Sequence, residues 1–166
     1  MDRQACVDLP ALPLQALLNR QPDWADQPAA VVLRDGPQAP LTWINEQARS
    51  RGILPGMRYA AALSLDSDLR VDVVPDHEVE AAVAELTAVL QRFSPEVEPC
   101  KEEPGVFWLN ADGLQNLYAS LGTWVEEMRS ELEALADAWD HREQADAAEV
   151  VTAVMDLRVR FKQIGS

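Results

Sequence analysis

The residue best placed for chemistry is Asp8, which directly follows Ala5-Cys6-Val7, a short apolar run with the character of a buried strand. A carboxylate at the C-terminal lip of a strand is held rigidly beside an open cleft, the position in which α/β enzymes hold Mg²⁺. Phosphoryl transfer needs more than one protein carboxylate as well as substrate oxygens, and a lone strand-end aspartate also serves as a turn or cap residue. The other candidates lack partners at motif spacing. His77 and His141 sit beside acidic residues in polar helical contexts, the usual surroundings of solvated surface histidines. Cys6 and Cys100 have no histidine at the spacing a zinc site or thiol nucleophile requires, and two cysteines make no disulfide framework. Both read as reduced thiols. The chain contains no GxxxxGK[ST], no GxGxxG after a strand and no GxSxG elbow. Glu126, Glu127, Glu131 and Glu133 form the wet face of a helix.

The elements that must position Asp8 alternate short apolar runs with helical patterns. After the opening strand, Leu14, Leu17 and Leu18 repeat at helical spacing until Pro22. Ala29 to Leu33 and Leu41 to Ile44 read as a hairpin, with Arg34-Asp35-Gly36-Pro37 supplying turn residues between them. Two short helices follow, Asn45 to Arg51 and Met57 to Leu65, and then a strand from Leu69 to Val74. Pro75-Asp76 opens the clearest helix, with Val79, Ala82, Val83, Leu86, Val89 and Leu90 on one face. Pro95 and Pro99 allow only edge strand or loop, Val106 to Leu109 has the bulk of a buried strand, and a long helix is expected from about Leu114 to Leu135. This order predicts a mixed α+β fold with its long helices on one face of a sheet.

The 166 residues suit one domain of ordinary size or part of a larger protein. Acidic residues outnumber basic ones 28 to 14, for a formal charge of −14. Such a surface repels a phosphate backbone unless its few cations are gathered in one patch, so weak or no direct DNA binding is expected. No stretch has the roughly 20 apolar residues of a membrane helix, and the first residues lack a secretory pattern. A cytoplasmic protein with no membrane association is the expectation.

Several of these segments together resemble the N-terminal region of the Y-family (UmuC/DinB-type) translesion DNA polymerases, with a closer resemblance to the ImuB branch. Ala5-Cys6-Val7-Asp8-Leu9-Pro10 is similar to the first palm strand, whose aspartate binds the catalytic metal. Asn45-Glu46-Gln47-Ala48-Arg49-Ser50-Arg51-Gly52-Ile53-Leu54-Pro55-Gly56-Met57 is similar to the YEARxxGVxxGM segment of the fingers, and Ala61 to Leu69 continues it. Phe93 to Pro99 looks like the lead into the second metal-binding strand, and Glu103-Pro104-Gly105-Val106-Phe107-Trp108-Leu109 has the ImuB-like form. The resemblance covers residues 4 to 135. It implies a partial polymerase palm over 1–135, with a small fingers subdomain inserted at about 12–74, and with thumb and little finger absent. Asp8 would be a vestigial metal ligand, Arg49 a vestigial nucleotide-binding residue, and Gly52, Gly56 and Trp108 structural.

The departures shape the expected function. In the family the second palm strand carries an adjacent Asp-Glu pair. One alignment puts Gly105 and Val106 there, and the other puts Glu103 and Pro104. The tyrosine before the fingers arginine is Glu46, the second acidic residue of the first strand is Pro10, and the aromatic pair that gates the sugar is Leu12-Pro13. The resemblance therefore implies a truncated, catalytically inactive ImuB-like homologue of the SOS mutagenesis system, with no cofactor, acting through contacts with an error-prone polymerase and an ImuA-like accessory protein. The clamp-like look of Gln115-Asn116-Leu117-Tyr118 belongs to a core helix in this reading. The alternatives are a residual Mg²⁺-dependent nucleotidyltransferase using Asp8 with Glu102 or Glu103, or a fragment without a role of its own. For residues 136–166 the pattern Val150, Val151, Val154, Leu157, Phe161 and Ile164 predicts a divergent amphipathic helical tail.

Overall fold

A computed structural model describes residues 3–143 and 158–163. In chain order the elements are β1 (Arg3–Asp8), α1 (Leu12–Arg20), β2 (Ala29–Val32), β3 (Leu41–Ile44), α2 (Glu46–Ser50), α3 (Tyr59–Leu65), β4 (Arg70–Val73), α4 (Asp76–Leu90), β5 (Val97–Pro99), β6 (Val106–Asn110), α5 (Leu121–Glu143) and β7 (Arg158–Gln163). The strands form two sheets rather than one, in the orders β5-β6-β1-β7 and β3-β2-β4. The mixed α+β class and the palm region are as expected. The chain divides into two compact units: β1, β5, β6, β7, α5 and most of α4 make one, and Ala11–Val79 makes the body of the other.

In the first unit β1 is central, antiparallel to β6 on one side and to β7 on the other. Its residues alternate as a strand between a core and an open face must. Ala5 and Val7 are fully buried and Cys6 and Asp8 half-buried, while on β6 Phe107 and Leu109 are buried and Val106, Trp108 and Asn110 half-buried. Leu86 and Leu90 of α4 and Trp124, Met128 and Leu132 of α5 supply further buried side chains of this unit. The Trp124 indole N–H donates to the Phe93 carbonyl at 2.9 Å, so the largest buried ring leaves no stranded donor.

The tail differs from expectation. Helix α5 runs on to Glu143, but Arg158–Gln163 is a strand paired along the whole of β1, from Arg3↔Gln163 to Asp8↔Arg158. The physical reason is a period of two: Val159 and Phe161 alternate with Arg158, Arg160 and Lys162, and β1 presents a complete second edge to pair with. The rest of the expected tail helix, Val150 to Leu157 and Ile164, lies outside the described residues. The N-terminus of α5 also moves. Leu114–Asn116 forms one 3-10 turn after Gly113 (φ 76°), and the Ser120 hydroxyl accepts from the Thr123 N–H at 3.1 Å, capping the helix there. Leu117, assigned from sequence to a core helix, is consequently exposed.

In the second unit β2 pairs antiparallel with β3, as the turn residues predict, and parallel with β4. Asn45 organises the junction that follows. Its side-chain carbonyl accepts from the N–H groups of Ala29 and Ala48, both at 2.9 Å, and its amide donates to the Gln27 carbonyl at 2.6 Å. One buried side chain thereby caps α2 and fixes the start of β2. Gly52 and Gly56 take φ values of 82° and 86°, which side-chain-bearing residues rarely adopt. Helix α1 is fastened by Arg20, which donates to both Glu78 carboxylate oxygens, to Asp72 and to the Val73 carbonyl, each at 3.0 Å.

Candidate functional site

Strand β1 carries Asp8 to the lip of its sheet, as the sequence predicts. Across from it stand Val106 on β6 and Arg158 on β7. The next residue, Leu9, donates its N–H to the Gly105 carbonyl at 2.9 Å. Gly105, at φ 103°, closes a turn in which the Val106 N–H donates to the Glu103 carbonyl at 3.1 Å. The register therefore chooses between the two alignments left open by the sequence: Gly105 and Val106 are the neighbours of Asp8, and Glu102 and Glu103 belong to the turn before β6. The Glu102 carboxylate lies 3.4 Å from the Cys100 thiol.

The fold implies a pair of Mg²⁺ ions at this lip, and the donor set does not fit them. Asp8 is the one carboxylate in register between β1 and its neighbours, and no group of three or more His, Cys, Asp or Glu side chains capable of holding a metal occurs among the described residues. Two divalent ions need several hard oxygen ligands at once.

Arg49 lies on α2, in the second unit. Its guanidinium is 54% exposed and faces Glu46 of its own helix at 3.7 Å, so an incoming phosphate would meet a carboxylate already beside it. The neighbouring Arg51 pairs with the buried carboxylate of Asp66 at 3.2 Å. The two site residues read from sequence thus belong to different units, and Arg49 already has a carboxylate partner on its own helix. Sequence reasoning missed the strand that brings Arg158, Arg160 and Lys162 to register positions opposite Asp8, Cys6 and Gln4. Their alternation with Val159 and Phe161 was the available signal.

Residues 7–137 match the model of the impB/mucB/samB family. Among solved structures, the chain is similar to DinB from Sulfolobus solfataricus, with a TM-score of 0.68, 15% identity, and coverage of 96% of this chain and 42% of that one. It is similar to the Y-family DNA polymerase chimera Dbh-Dpo4(243-245)-Dbh, with a TM-score of 0.67, 14% identity and the same coverage. It is similar also to the insertion ternary complex of Dbh DNA polymerase, at 0.68 and 15%, again covering 96% of this chain and 42% of the other. At these identities the structures establish the fold, and the chain spans less than half their length. No curated protein sequence matches it.

These matches correct one expectation. The sequence reading of a catalytically inactive homologue, which is not an enzyme, rested on Gly105, Val106 and Glu46; the family match and the three structures instead connect the chain to DNA polymerases. The physical reason is that register names the neighbours of Asp8 within a region spanning 42% of a polymerase chain, and a missing pair there does not measure activity. No helix among the described residues is long and apolar enough to cross a membrane.

Proposed function

The chain belongs to the impB/mucB/samB family, a family of translesion-type DNA polymerases tied to DNA damage, and from that premise we propose that it serves as an ImuB-like component of a damage-tolerance assembly. In this role it works in the cytoplasm through protein contacts, its partners being an error-prone polymerase and an ImuA-like accessory protein. The observation that carries the reading is the Gly105 turn. Glu103 to Leu109, the segment with the ImuB-like form, is the one seated beside Asp8, with the Leu9 N–H bound to the Gly105 carbonyl. The charge of −14 supports protein contacts over a grip on DNA. Co-expression with the two partners from the same genome tests it. The partners should be retained with the tagged chain through a wash at moderate salt, and their loss at every salt concentration contradicts the reading.

A second reading is favoured by the family match to polymerases: nucleotidyl transfer at the lip of β1, where Asp8 is the one carboxylate in register. Calorimetric titration of a deoxynucleoside triphosphate with and without Mg²⁺ separates the two. Binding that requires Mg²⁺ and disappears in Asp8→Ala supports this second reading.

A further inference from the structure

The open face of the palm sheet has a second feature at the end away from Asp8. A groove of about 470 Å³ is lined by Gln4 of β1, Gln91 after α4, Glu96 and Glu98 at β5, and Trp108 and Asn110 of β6. Gln4 precedes Asp8 by four residues, about 13 Å along an extended strand, so the groove is separate from the lip. All its residues belong to one unit.

Two carboxylates, three side-chain amides and an indole are among the side chains that line it. Glu98 is exposed, and among the described residues no hydrogen bond or ion pair engages its carboxylate. The Glu96 carboxylate accepts from the Asn110 side-chain amide at 3.1 Å, which fixes one wall. Buried Ser94 fixes the end of the groove, its hydroxyl lying 2.8 Å from both the Glu96 and Asn110 carbonyls. The groove is therefore formed before anything enters it, which lowers the ordering cost of binding. Cross-strand partners Glu98 and Trp108 share the open face, so a carboxylate and a ring stand side by side. A guanidinium suits that pair: it is planar, stacks on an indole, and donates to carboxylate and amide oxygens together.

We infer that this groove docks an arginine-bearing extended segment of a partner protein. The inference rests on the protein-contact reading above and names a surface for it. An acidic protein draws such a segment in, and the amides of Gln4, Gln91 and Asn110 are the groups that recognise peptide backbone.

The test uses the full chain labelled with ¹⁵N and the probe peptide acetyl-Gly-Arg-Gly-Arg-Gly-amide, with the Glu-for-Arg peptide as control. The Trp108 indole and Asn110 side-chain signals should move first. Glu98→Lys should weaken the peptide about tenfold or more by replacing an attractive charge with a repulsive one, and Trp108→Leu should weaken it by about threefold to fivefold. Glu98 is exposed, so the E98K melting curve should match wild type. The inference is overturned if the peptide does not bind, if the control binds equally well, if E98K binds as wild type does, or if the acidic face at Glu126 and Glu127 responds as strongly as Trp108. Peptide binding at the groove with no partner retained in co-expression contradicts the assembly and leaves the groove standing. Retained partners with no peptide response do the reverse.

Discussion

Between Ala11 and Val79, polar side chains hold backbone to backbone. Asn45 joins Gln27, Ala29 and Ala48, and Arg20 joins α1 to Asp72, Val73 and Glu78. On the palm sheet the polar residues of the open face behave differently. Gln4, Asp8 and Glu98 project from strands whose opposite face is packed with Ala5, Val7, Phe107 and Leu109, and apolar burial holds that sheet together. The difference separates residues whose loss unfolds the protein from residues whose loss changes what it binds. Buried, multiply bonded groups are costly to orphan, whereas exposed single charges contribute little to folding.

Substitutions on the two sides should break or sharpen this contrast. The largest effect is expected at Asn45→Ala, which removes a helix cap and leaves two buried backbone groups short of partners. A loss of about 2–3 kcal/mol should appear in urea denaturation. Arg20→Ala should cost about 1–2 kcal/mol by the same measurement, since its charge-assisted bonds are half-buried and its partners Asp72 and Glu78 would be left as neighbouring carboxylates. Ala11→Gly has the opposite sign. Ala11 is the one described non-glycine residue with positive φ (52°), just ahead of α1, and glycine there should raise stability by up to about 1 kcal/mol in a thermal melt. Glu46→Gln sharpens the comparison from the other side. It removes an exposed pair worth at most about 0.5 kcal/mol, and by freeing Arg49 it should strengthen tripolyphosphate binding severalfold at low salt.

Much of this was legible because local signals and long-range structure agreed. The turn at Arg34-Asp35-Gly36-Pro37 forces the β2–β3 hairpin, Asp76 opens α4 after Pro75, and Asp8 ends its strand where the apolar run ends. The family resemblance of the α2 segment rested on Ala48, Arg49, Gly52 and Gly56, two of which are glycines in a conformation that favours glycine. Strand β7 was not legible. Its six residues fit a helical stripe if Val150 to Leu157 are read along with them, and its pairing with β1 joins the two extremes of the chain. A pairing that distant leaves no mark in neighbouring residues. The start of α5 was misplaced for a related reason: Leu114 and Leu117 have helical spacing, while the deciding event is the Ser120 cap seven residues before Glu127 on the helix itself. At the lip, sequence narrowed the neighbours of Asp8 to two alignments, and only the β1–β6 register selects one. That selection did not carry the further step to an inactive protein, which the family match corrects.

The most direct measurement compares Asn45→Ala and Glu98→Lys in the same pair of assays, thermal melting and titration with the arginine peptide. The account predicts that N45A melts well below wild type, while E98K melts with wild type and loses the peptide. An E98K protein that melts as low as N45A, or an N45A protein that melts with wild type, would contradict the division between buried, multiply bonded side chains and exposed single charges.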